Sequence, residues 1–343
     1  MIEIIKIYLS KPVVFFEMVI LTLFANVFAL IPPIFVILVF NRYISSGVNA
    51  TLITLSIGAI ISVIFEFLFR RARHHFAEQL VEQKFMNQDK QIYDSITKAQ
   101  YLPIHSADPS QLRSYFGMSD TLKTVYSASN LSLFLDVPFA FLFIAAIYFI
   151  SPMLSIITLI FIIITFFLIM IFNISLRKSV GDEQQVRNIR SQLIDTAIFF
   201  PGTIRAFDTT DSQNLAWEKY THVFQKIRKY VSNRQNRIQT IVRSSSSILT
   251  ILIISVGATM VTKGVLDIGV LIGANILAAR ALLPIIGLSQ QVESWARTKE
   301  ANNTISRIKK IPLVNPDGTG INKDAIELEL RDISFTYPFA HLP

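Results

Sequence analysis

The chain alternates between two textures. Long runs almost free of charge are separated, in two places, by polar stretches whose apolar residues still recur at helical spacing. A hydrocarbon core about 30 Å thick takes about 20 apolar residues as a helix. Six runs are predicted to span one: residues 13–40, 50–69, 131–150, 152–174, 248–261 and 268–288. The first is longer than a span requires and is interrupted by Pro32 and Pro33, so it is expected to kink or tilt. The two-residue link "SP" at Ser151 and Pro152 makes the third and fourth runs a tight helical hairpin. The fifth and sixth are less apolar and have softer boundaries.

The polar stretches are predicted to be helical as well. "RRARHHFAEQLVEQKFMNQDKQIYDSI" sets Phe76, Leu80, Phe85 and Ile92 among charges, and "LAWEKYTHVFQKIRKYVSNRQNRIQTIV" has the same character, rich in helix formers. A disordered linker would lack that regular aromatic and aliphatic spacing. Each stretch starts directly from a span, so the pattern predicts membrane helices that continue far beyond the bilayer. Each also has one punctuated middle: "HSADPSQLRSYF" around Asp108 and Pro109, and "IFFPGTIRAFDTTD" around Pro201 and Gly202. A break of that kind between two long helices gives a helical hairpin with a short cross-piece at its tip.

Charge orients this arrangement. The stretch after the second run carries Arg70, Arg71, Arg73, Lys84, Lys90, Lys98, Arg113 and Lys123, and the stretch after the fourth carries twelve more basic residues from Arg177 to Arg243. The short links on the other side hold only Arg42 and Lys263. By the positive-inside rule the amino terminus, both long stretches and the carboxyl tail are cytoplasmic. The formal charge of +8 is thus explained by topology, and no nucleic-acid partner is expected. Hydrophobic residues make up 52% of the 343 and charged residues 16%, a mixture from which no soluble surface can be built. There is no cysteine, which excludes disulfides, thiolate metal sites and thiol nucleophiles within the chain. The first run is too long for a signal-peptide core and contains Glu17. The five histidines are scattered or, at His74 and His75, adjacent on one helix and off a shared face, so no metal site is predicted and no catalytic constellation emerges.

After the sixth run a basic amphipathic segment gives way to Pro312, Pro316, Gly318 and Gly320, a linker signature. "IELELRDISFTYP" then alternates, with Ile326, Leu328 and Leu330 on one face and Ile333, Phe335 and Tyr337 after a slip at Asp332, which predicts a strand or hairpin. The expected organisation is a six-span domain over 1–305, a linker over 306–325 and the start of a soluble domain over 326–343.

Six spans, long extensions after the second and fourth, and the tail "IELELRDISFTYP" together resemble an ATP-binding cassette (ABC) exporter. "VFNRYISSGVNATLITLSIG", "LFLDVPFAFLFI" and "AARALLPIIGLSQ" resemble its type I protein secretion branch. The resemblance implies an all-α membrane fold of six transmembrane helices with long cytoplasmic helical extensions, the ABC type I exporter fold, followed by a short β-hairpin that begins a nucleotide-binding domain. It implies a homodimer in the bacterial inner membrane that exports polypeptide, using ATP and Mg2+ held by the nucleotide-binding domains, with a periplasmic adaptor and an outer-membrane channel as partners. By position, Tyr337 is the adenine-stacking aromatic; Asp108, Pro109, Leu112 and Tyr115, and Pro201, Gly202 and Arg205, fall in the coupling helices. No G-x-x-x-x-G-K-[ST] loop occurs, so this stretch alone is expected neither to bind ATP stably nor to hydrolyse it; such a loop is expected within about 30 residues downstream of Pro343. With about a dozen residues before the first span, no amino-terminal peptidase domain is expected. Related exporters of lipid, drug or peptide share the architecture. A non-ABC channel or carrier would not need the cytoplasmic hairpins, and no inverted repeat is visible.

Charged residues inside spans complete the candidates, because charge in hydrocarbon is costly and faces water or a partner. Glu66 precedes Arg70 by four residues, the favourable order for a helical ion pair. Asp136 either lines an inward-facing cavity or interacts at the interface. Arg280, in the sixth run and followed by Pro284, is the main translocation-path candidate, its alternative being a buried structural pair.

Overall fold

The computed structural model describes residues 8, 11–44, 47–105, 109–308, 310–314 and 331–334. In chain order the helices are α1 (Pro12–Phe28), α2 (Ile31–Leu38), a π-helical turn (Val39–Tyr43), α3 (Asn49–Thr97), α4 (Tyr101–His105), α5 (Pro109–Val125), α6 (Ala128–Ile150), α7 (Pro152–Phe199), α8 (Pro201–Ala206), α9 (Thr210–Thr262), α10 (Ile268–Gln290) and α11 (Val292–Ile308). Among the described residues six helical segments are long and apolar enough to cross a membrane, and none of these residues belongs to a sheet.

The spans behave as the apolar runs predict, and in three cases they do not stop at the bilayer. Helices α3, α7 and α9 contain 49, 48 and 53 residues. At about 1.5 Å per residue each is over twice as long as a ~30 Å core is thick. Alternation of direction puts all three extensions on one side. There α7 and α9 pair along their length, closed by the short α8, while α3 turns back through α4 and α5 into α6.

The expected kink at Pro32 and Pro33 is a break: α1 ends at Phe28 and α2 restarts at Ile31, with proline in its first turn. Pro32 has no N–H to give to the carbonyl of Phe28 four residues back. Ser62 of α3 donates its hydroxyl to that carbonyl at 3.0 Å instead. Phe28 also stacks on Phe65 and Phe69 of α3, at 5.4 and 5.7 Å between ring centroids.

The third span starts at Ala128, three residues before the run visible as apolar sequence. Polar Ser129 and Asn130 hide that start from any hydropathy criterion. Asn130 defines the turn that precedes it, its amide donating to the carbonyls of Thr124 and Val125 at 3.2 and 2.9 Å. Those are the open carbonyls at the end of α5.

Two apolar clusters hold the molecule. One joins α6, α7, α9 and α10 through the membrane layer and continues along α7 and α9 to Val180 and Val231; the other joins α1, α3, α5, α6 and α11 at the extended side. Helix α10 is central: 56% of its apolar window is buried, against 6% for α3, whose Ile60, Ile64 and Phe67 face outward as a lipid-facing surface must. Close approach to α10 is made by glycine. A Cβ at Gly269 would stand 2.7 Å from the Cβ of Phe40, and one at Gly273 would collide with Ile37. The pair is a small-xxx-small spacing, which lets helix backbones approach in lipid. Asn41 of the π turn exploits the proximity, accepting from the Gly269 N–H and donating to Asp267, both at 3.1 Å.

Gly269→Leu is therefore expected to destabilise the folded domain by about 1–3 kcal/mol through overpacking. Gly58→Ala, on an α3 face with open space around it, is expected to cost nothing. Thermal unfolding of both variants in the same detergent checks the contrast.

Candidate functional site

The charged residues of the spans converge. Glu66, Arg70 and Arg73 lie on one face of α3, at helical spacings of four and three. Arg73 forms a two-pronged ion pair with Asp136 of α6, Nη1 to Oδ1 at 2.6 Å and Nη2 to Oδ2 at 3.2 Å. From α1, Thr22 accepts from Arg73 Nη1 at 3.3 Å and Asn26 donates to Asp136 at 3.4 Å. Arg70 donates to Glu66 at 2.9 Å and stands 3.8 Å from Asp136. Arg280 of α10 reaches Glu66 at 3.4 Å.

Four helices thus share one polar network of three guanidiniums and two carboxylates, leaving a net charge of +1. Arg73 is buried, with a side chain 6% exposed, while Arg280 and Arg70 remain 25% and 37% exposed. The network therefore has a closed end at Arg73 and an open, positively charged end at Arg280 and Arg70. At the closed end Tyr8 donates its hydroxyl to the Leu131 carbonyl at 2.8 Å. Burial pushes its phenol well above the usual tyrosine range, so it remains a donor.

A second polar centre lies on the extended side. Glu183 of α7 is fully buried and faces three arginines from three helices: Arg187 of its own helix at 2.8 Å, Arg228 of α9 at 3.2 Å and Arg297 of α11 at 3.5 Å. Arginines also run between the aromatic rings of α9. Arg190 sits 4.8 Å from the Trp217 ring and 4.6 Å from that of Phe224, and Arg187 packs on Phe224 at 5.5 Å. Such cation–π contacts join two polar helices beyond the apolar cluster that ends at Val180 and Val231. They hold α7 to α9 beyond the membrane layer.

The hairpin tips end in exposed apolar surface. Around α8, whose Pro201, Gly202 and Arg205 are all exposed, stand Phe199, Phe200 and Phe207, with 53%, 56% and 75% of their surfaces open. Arg113 of α5 packs on Phe199 and pairs with Asp195, tying the first hairpin to the second just behind this tip. On the first hairpin Tyr101 is 75% exposed. Leu112 and Tyr115 are half-buried, Tyr115 against the second apolar cluster, and Pro109 opens α5. Asp108 and Tyr337 lie outside the described residues, as does most of the expected hairpin over 326–343. Asp332, at the slip in the alternation, has a left-handed φ of 47°.

Arg280, Asp136 and Glu66 are thus brought into one network, while the two sets of tip residues lie apart from it. Sequence reasoning passed over Arg73, Glu183, Arg297 and Asn41. Glu183 and Arg187 carried a local signal, an acid four residues before a base, but nothing in the pattern marked it above other such pairs.

The same chain matches a known family over residues 15–284, the ABC transporter transmembrane region. It is similar to the leukotoxin export ATP-binding protein LtxB of Aggregatibacter actinomycetemcomitans, 23% identical over 337 residues, covering 94% of this chain and 46% of that protein. It is also similar to the exotoxin translocation ATP-binding protein PaxB of Pasteurella aerogenes, 24% identical over 305 residues, covering 86% and 41%. A third relative is the alpha-hemolysin translocation ATP-binding protein HlyB of Escherichia coli, 22% identical over 335 residues, covering 94% and 46%. The chain spans less than half the length of these relatives. With six apolar helices, paired extensions and a match over more than half its length, the chain belongs to the ABC transporter transmembrane region family.

Proposed function

We propose that this chain is the membrane half of an ATP-driven exporter of unfolded polypeptide, acting as a homodimer whose twelve spans enclose an alternating-access path. The carrying observation is the exposed aromatic tip. Phe199, Phe200 and Phe207 stand at the end of two paired helices of about 50 residues, and an apolar patch held so far from the bilayer needs a protein partner. The partner is a nucleotide-binding domain, seated on Pro201, Gly202 and Arg205 at one tip and on Asp108, Pro109, Leu112 and Tyr115 at the other. ATP and Mg2+ belong to that domain; Tyr337 is this chain's contribution, stacking on adenine.

The charge distribution supports a cytoplasmic side for the basic extensions and the amino terminus, and the resemblance to the type I secretion branch supports a bacterial inner membrane. Arg280 and Arg70 line the path from the open end of the network, with Glu66 and Asp136 holding them in place. The names of the toxin exporters to which the chain is similar support polypeptide as cargo; a periplasmic adaptor and an outer-membrane channel as partners rest on the resemblance to the type I secretion branch alone.

The test is ATP-driven uptake of an unfolded polypeptide into inverted proteoliposomes containing the complete transporter, with Phe200→Asp plus Phe207→Asp alongside. Uptake by the parent and a loss of at least about tenfold in the double variant are expected. Lipid or drug transport without polypeptide uptake, or a double variant as active as the parent, overturns the reading.

A further inference from the structure

The chain leaves the membrane domain through α11, and it does not leave freely. Ala301, Ile305 and Ile308, one stripe of α11, are buried in the same cluster as Phe85 and Ile92 of α3 and Met118 and Leu122 of α5. The helix end then tightens: Lys310 N–H donates to Arg307 O at 3.0 Å and Ile311 N–H to Ile308 O at 3.1 Å. The segment that follows runs antiparallel to residues 98–100, where Ala99 and Leu313 form a β-bridge. Gln100 N–H donates to Pro312 O at 3.0 Å and Val314 N–H to Lys98 O at 2.7 Å. The Gln100 side chain adds a longer contact to Leu313 O at 3.5 Å.

Residues 98–100 are the gap between α3 and α4. A gap between helices leaves open carbonyls at one helix end and open N–H groups at the next start. The exit segment occupies those groups, so its attachment to the first tip is made by backbone and does not depend on a particular side chain.

We propose that residues 310–314 form a transmission strap: the exit segment, α4 and the start of α5 move as one body, so that displacement of whatever follows Val314 reaches the first tip directly within one protomer. This deepens the exporter reading and rests on it for its purpose. The strap itself is a structural statement that can be tested separately. Its role is distinct from docking at the tips, because it needs no second interface.

In the observed hydrogen-bond pattern Ala99 and Leu313 are a non-hydrogen-bonded pair, for which the Cα separation is about 4.5 Å. That lies within disulfide reach. No cysteine occurs among these 343 residues. Ala99→Cys with Leu313→Cys, placed in the complete transporter in native membranes, is expected to cross-link under mild oxidation both without nucleotide and with trapped ATP. The oxidised protein is expected to keep most of the export of its reduced form. Failure to cross-link in either state, or export that stops on oxidation and returns with reductant, overturns the strap. Val314→Pro, which removes the N–H given to Lys98, is expected to lower export about tenfold while ATP hydrolysis continues. Export equal to the parent overturns the strap as well. If the parent itself exports nothing, the exporter reading fails, while the cross-linking yield still decides whether the segment and the tip move together.

Discussion

Asp136→Ala is expected to destabilise the membrane domain by about 3–5 kcal/mol, the cost of leaving a buried charge without its partner. Removal of the carboxylate strands Arg73, whose side chain is only 6% exposed and whose other hydrogen-bond partner is the Thr22 hydroxyl, unable to offset a positive charge. Arg70 is itself a cation, and the remaining carboxylate, Glu66, already serves Arg70 and Arg280, so neither offers compensation. Arg73→Met alone is expected to cost less, because Asp136 keeps the Asn26 amide and Arg70 at 3.8 Å. The pair Arg73→Met with Asp136→Leu is expected to be closer to the parent than Asp136→Ala, since apolar side chains of similar volume replace both charges and leave neither unpaired. Unfolding of the parent, Arg73→Met, Asp136→Leu and the pair in mixed micelles closes a double-mutant cycle, with Asp136→Ala measured beside them. A double variant less stable than Asp136→Ala would mean that the polar network, and not its unpaired remnant, carries the stability.

Much of this fold was legible because its signals are local. A span is a run of apolar residues, a break is a proline pair, and Glu66 with Arg70 is a spacing of four. The extensions were legible for the same reason, since Phe76, Leu80, Phe85 and Ile92 recur among charges in a stretch of helix formers and three of them are buried. The site was legible only in part. Arg73 and Asp136 are 63 positions apart, and hydropathy treats both merely as charges near a span end. Asn41 meets Gly269 across 228 positions, and Ala99 meets Leu313 across an even comparable distance along the chain. Each of these contacts depends on how helices cross, which periodicity along a single helix does not encode. Charge counting also hid the difference between basic residues that orient the protein in the bilayer and Arg73 or Arg297, which build its interior.

Glu183→Ala is the corresponding experiment on the extended side, and its outcome follows from unequal numbers. One carboxylate faces three guanidiniums, a net charge of +2; without it the three remain, at +3. Removal of one arginine instead leaves the carboxylate with two partners. Glu183→Ala is therefore expected to be the most damaging single change in the cluster, at about 3 kcal/mol, the low end for a broken buried pair. The low end applies because Arg187 and Arg228 are 47% and 49% exposed and can turn toward water, whereas Arg297, at 20%, cannot do so as freely. Arg187→Ala is expected to cost about 1 kcal/mol or less, because Arg187 is half exposed and Arg228 and Arg297 still face Glu183. The loss should be local. Amide exchange is expected to rise in α11 and in the facing turns of α7 and α9, with the apolar spans unchanged, because the cluster joins these three helices outside the membrane layer. Uniform loss of protection would make Glu183 a determinant of the whole fold, and unchanged exchange in α11 would show that its apolar stripe of Ala301, Ile305 and Ile308 holds it without the ionic contact.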